Sequence, residues 1–157
     1  MSVRVLRGLL ASVVLALAAC SVPADKAAAE AAVAAFHRQL DAQQYAAIYA
    51  AAGPDLKKEW TQAAFIALLR ATHDALGATQ AALERDWKVV YGTRGAFLTL
   101  AYTTQFASGT ADETFVFRVR AGTVLLESWH ISSTALSDAA ATTVLRTRPD
   151  AGRSHAP

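Results

Sequence analysis

Leu98-Thr99-Leu100-Ala101-Tyr102-Thr103-Thr104-Gln105-Phe106 sets Leu98, Leu100, Tyr102, Thr104 and Phe106 against Thr99, Ala101, Thr103 and Gln105. A period of two over nine residues predicts a β-strand with one buried face. Ser108-Gly109-Thr110 turns the chain, and Phe115, Phe117 and Val119 then alternate with Thr114, Arg118 and Arg120. Ala121-Gly122 marks a hairpin before a run from Thr123 to Ser132. On the other side of the opening stretch, Gly92-Thr93-Arg94-Gly95 separates it from a run over Thr79–Tyr91 that places Trp87, Val89 and Tyr91 together. Four runs so close in sequence predict an antiparallel meander.

Upstream the period lengthens to that of a helix. Asp25 is a good N-cap, and Val33, Phe36 and Leu40 form one apolar stripe in an alanine-rich segment reaching about Gln43. Tyr45, Ile48 and Tyr49 continue helical spacing to about Ala52, with a kink expected near Asp41, and Gly53-Pro54 ends it. Asp55–Trp60 reads as a short helical turn. Thr61 then caps a second long helix with Phe65, Leu68, Leu69, Thr72 and Leu76 on one face and Gly77 at its end. The expected fold class is therefore α+β, with N-terminal helices on one face of a curved four-stranded antiparallel sheet.

The first 19 residues are different in kind. Arg4 and Arg7 precede an apolar run from Leu9 to Ala19 that is too short to span a bilayer comfortably and ends in small residues, as secretory signals do. Leu17-Ala18-Ala19-Cys20 reads as a lipobox, with cleavage before Cys20 and acylation of its sulfur. In Gram-negative lipoproteins, which this segment resembles, a serine after the cysteine, here Ser21, permits sorting to the outer membrane, so the resemblance implies its periplasmic face. The expected organisation is a cleaved signal peptide (1–19), a lipidated cysteine and short tether (20–24), one domain (25–134) and a polar, disordered tail (135–157). An extended tether of that length would reach roughly 15 Å.

Cleavage removes 19 of the 157 residues and, with Arg4 and Arg7, the whole net charge of +2. The remaining domain is formally neutral, which argues against nucleic-acid binding. Cys20 is the single cysteine, so the chain forms no internal disulfide.

Candidate chemistry is sparse. Uninterrupted alternation would put Leu125, Glu127, Trp129 and Ile131 on one face, where a buried Glu127 would have a raised pKa and act as a base. The opposite set, Val124, Leu126, Ser128 and His130, is also half apolar, so a bulge or an exposed Glu127 is the competing reading. Tyr49, Tyr102 and Trp129, with Glu127, would line a ligand pocket at the mouth of a cone, or fill the core. His37, His73, His130 and His155 show no metal-ligand spacing, and no metal or cofactor is expected. Asp112-Glu113 reads as a solvated strand edge, and Arg118 and Arg120 as an outward pair, either solvated or facing an acidic partner.

Helix-then-meander order resembles the cystatin-like or nuclear-transport-factor-2-like cone. Asp41–Tyr49, Trp60–Gly77 and Glu127-Ser128-Trp129-His130-Ile131 resemble a family of small Gram-negative secreted proteins and lipoproteins, the domain-of-unknown-function family numbered 4019. The resemblance covers about residues 27 to 133 and implies the cone fold, with no catalytic residues. The expectation is a lipid-anchored periplasmic protein that binds an envelope partner without catalysis. A carrier of a small apolar ligand is the alternative, and an enzyme using Glu127 or a histidine the third.

Overall fold

A computed structural model describes residues 21–120 and 122–137. Four helices, α1 (Ser21–Asp41), α2 (Tyr45–Ala51), α3 (Pro54–Glu59) and α4 (Gln62–Leu76), precede strands β1 (Thr79–Gly92), β2 (Gly95–Phe106), β3 (Gly109–Arg120) and β4 (Thr123–Ser132). The strands pair in sequence order as one antiparallel, curved and unclosed sheet. The architecture is thus α+β, as the change of period predicts.

Helix α1 buries Ala29, Val33, Phe36, His37 and Leu40, a stripe at helical spacing. It starts at Ser21, so the residues read as an extended tether, 21–24, are helical and span roughly 6 Å instead of 15 Å. Its end is a break and not the expected kink. Gln43 adopts the left-handed conformation (φ 55°), and α2 starts afresh at Tyr45. Asp41 Oδ1 accepts the Thr79 N–H at 2.9 Å, which fastens the end of α1 to the start of β1. Pro54 opens α3, where its missing N–H costs nothing. Thr61 caps α4 by accepting the Ala64 N–H at 3.3 Å, and Gly77, at φ 75°, closes it.

Leu98 lies opposite Phe117 and Leu100 opposite Phe115, so the apolar parities of β2 and β3 share the face covered by the helices. There Phe36 packs on Phe115 (5.2 Å between ring centroids) and Trp129 (5.0 Å), and Phe65 reaches Trp129 at 6.3 Å. Strand β4 changes parity midway. Ser128 pairs with Val116 but Leu126 with Phe117, which leaves Glu127 as the extra residue of a bulge. Val124 and Leu126 face the core before it, and Trp129 and Ile131 after it. Each of the two alternations legible in the sequence is right for half the strand. Beyond β4 a single helical turn covers 134–137. The stretch read as a signal peptide (1–19), Cys20 and the stretch from 138 onward that is read as a tail lie outside the described residues.

Candidate functional site

Among the described residues two carboxylates are buried, and the protein uses both internally. Glu113, which the sequence places at a solvated edge, is 1% exposed. It stands on β3 in the same parity as Phe115 and Phe117, so its side chain enters the core. Thr104 donates to its Oε2 at 2.5 Å, His37 Nε2 lies 2.8 Å from the same oxygen, and Trp129 Nε1 donates to Oε1 at 3.0 Å. The His37–Glu113 contact is a hydrogen bond donated by the imidazole in the tautomer that bears its proton on Nε2. Strand parity places Thr104 and Glu113, while position 37 beside Phe36 on the α1 stripe places the histidine. Both patterns were legible, the strand parity for Thr104 and Glu113 and the helical stripe for His37, and they are the signals by which these three residues could have been found.

Glu127 is 4% exposed, yet it does not enter the helix-covered core as uninterrupted alternation would require. The bulge turns it toward the start of α3, where Oε2 accepts the Asp55 N–H at 2.8 Å. Oε1 lies 2.7 Å from Arg118 Nε, an ion pair off the N–H axis, so that oxygen accepts no well-aligned hydrogen bond. A carboxylate at a helix start satisfies an orphan N–H that the helix itself cannot. Gly53 makes this approach possible. A Cβ there would lie 2.2 Å from Oε2. Arg118, expected on a solvated face, is thereby held in a mostly buried pair.

The four expected pocket residues do not share one cavity. Trp129 binds Glu113, Tyr49 donates to the Trp60 carbonyl at 3.0 Å, and Glu127 holds α3. Tyr102 lines an open groove of about 400 Å³ between α1 and the first residues of β1. Its walls include Glu30, His37, Arg38 and Asp41 from α1, and Thr79, Gln80 and Ala82 from β1. Above the groove, Lys26 is paired with Glu30 and lies 2.9 Å from Glu84 Oε1, and Tyr102 donates to Glu84 Oε2 at 3.3 Å. These two carboxylate partners hold the Lys26 ammonium above its usual range.

Burial, then the Glu84 and Glu30 charges, push the Tyr102 hydroxyl up to about 12. It therefore remains a neutral donor wherever the protein functions. In the unfolded chain it titrates near 10, so its contribution to stability is complete below about pH 10 and is lost as pH rises through about 12. Ultraviolet titration of the folded protein should show a late phenolate step near 12 that is absent from Tyr102→Phe. An unchanged titration curve would refute that assignment.

Among the described residues no three metal-ligating side chains gather, and no helix is long and apolar enough to cross a membrane. Compared with known proteins, the sequence matches no family model and no curated protein.

Proposed function

We propose that the chain is a lipid-anchored protein of the periplasmic face of the outer membrane that binds an extended segment of an envelope partner, without catalysis. The observation carrying this reading is the groove between α1 and the unpaired edge of β1. A free edge offers N–H and C=O groups to an incoming strand, and an adjoining helix offers side-chain specificity, the arrangement of recognition by strand addition. The pairing of β1 with β2 is interrupted at Gln80 and Arg85, the first of these within the groove. Glu113 and Glu127, the two carboxylates best placed by burial for acid–base work, are each occupied by protein donors.

The alternative, a small apolar ligand inside the cone, is weaker because Phe36, Phe65, Phe115 and Trp129 pack against one another where it would lie. Element order and sheet curvature support assigning the cystatin-like or nuclear-transport-factor-2-like class, while the family numbered 4019 rests on the sequence resemblance alone.

The anchor is tested by Cys20→Ser, which should move the protein from the membrane to the soluble fraction. Retention of the variant would refute acylation at Cys20. The groove is tested by placing a photo-crosslinking side chain at Ala34 or Gln80 in the full chain within cells. A reproducible adduct from these sites, absent from exposed Lys58, is expected. Equal adducts from all three would defeat the proposal.

A further inference from the structure

Helix α1 and strand β1 run side by side in opposite directions. Asp41 meets Thr79, and Lys26 meets Glu84 while its ammonium stands 5.5 Å from the centre of the Trp87 ring. From Lys26 back to Ser21 the helix advances roughly 7 Å. Along a strand that distance is about two residues, so the start of α1 lies level with Asp86–Val89, beside Trp87 and next to Val90 and Tyr91. At that end β1 is uncovered. Trp87 is 39% exposed, Val90 60% and Tyr91 58%, and the neighbouring Arg85 and Lys88 are exposed as well. Trp87 and Tyr91 project to the helix side and Val90 to the other, so the strand edge presents all three.

Ring systems with a polar tip favour the boundary between acyl chains and headgroups, and nearby cations favour anionic lipid. We propose that the Trp87–Tyr91 end of β1 is a bilayer-contact surface, seated on anionic phospholipid beside the acylated Cys20. This deepens the anchored reading above and rests on it. The described chain begins beside this edge, at Ser21, so an acyl group on Cys20 would deliver lipid there, which favours a bilayer as the occupant. The partner groove, at the Thr79–Ala82 end, then faces away from the membrane.

The test uses the mature chain purified from envelopes and reconstituted into phosphatidylglycerol–phosphatidylethanolamine vesicles, with and without brominated acyl chains. Tryptophan emission is compared between wild type and Trp87→Phe, and intact mass reports acylation. Bromine should remove about half of the emission that belongs to Trp87, leave Trp87→Phe nearly unaffected, and act less on Val90→Asp. An acylated protein quenched equally with and without Trp87 would overturn the proposal and leave the anchor standing. An unmodified Cys20 would refute the anchor. In that case quenching of Trp87 on the same vesicles would support contact through the edge alone, and its absence would overturn the contact too. Burial of Trp87 that depends on protein concentration and not on lipid would mean that a second copy covers the edge, which also overturns it.

Discussion

Glu113→Ala should lower the free energy of unfolding by about 3–5 kcal/mol in urea titration, the largest effect expected of any single polar substitution here. The cause is what remains behind. Trp129 Nε1–H, the Thr104 hydroxyl and His37 Nε2–H would all lose their acceptor in a place water does not reach, beside a new void. Glu113→Gln keeps one accepting oxygen and the volume but points an amide donor at another donor, so an intermediate loss is expected. The pair spans 76 positions in sequence and joins the N-terminal helix to the third strand. Destabilisation below about 1 kcal/mol would mean that the network contributes no more than a solvated one.

Gly53→Ala is the second large effect, expected to cost about 3 kcal/mol. Its backbone, at φ −76°, suits any residue, so the whole penalty is one of space. The added methyl would occupy the position of the Glu127 carboxylate, which Asp55 N–H and Arg118 prevent from swinging aside. The displaced carboxylate would leave Arg118 without its partner. A double-mutant cycle isolates the cause. In a Glu127→Ala background the same glycine substitution should cost under about 1 kcal/mol. Equal costs in both backgrounds would place the constraint elsewhere.

These two carboxylates show how far the sequence could be read. Periodicity located all four strands and both long helices, because burial of Leu98, Leu100, Phe115, Phe65 and Leu69 requires that spacing. The same parity rule contained Glu113, but a charge in the first five residues after a hairpin turn reads as solvated unless its three donors are known, and those come from other strands and from α1. Glu127 was not legible. A bulge shifts parity within one strand, and both alternations of β4 carry enough apolar residues to pass for the inner face. The break after α1 was hidden for a related reason, since Gln43 is not a residue that announces a left-handed backbone. The groove depends on the lateral spacing of α1 and β1, which no local pattern encodes.

Every strand pairs with its neighbour in sequence, whereas α1 packs partly on α2 and α4 and otherwise on strands that begin 38 residues after it ends. Hairpins of this kind close locally and rapidly, within microseconds. On the ribosome, however, the helix emerges first and the strands last. Phe36, whose ring partners Phe115 and Trp129 lie on β3 and β4, therefore stays without them until nearly the whole domain has been made. Completion of the fold is postponed to the end of synthesis, so a growing chain remains threadable, which is what the export proposed above would require.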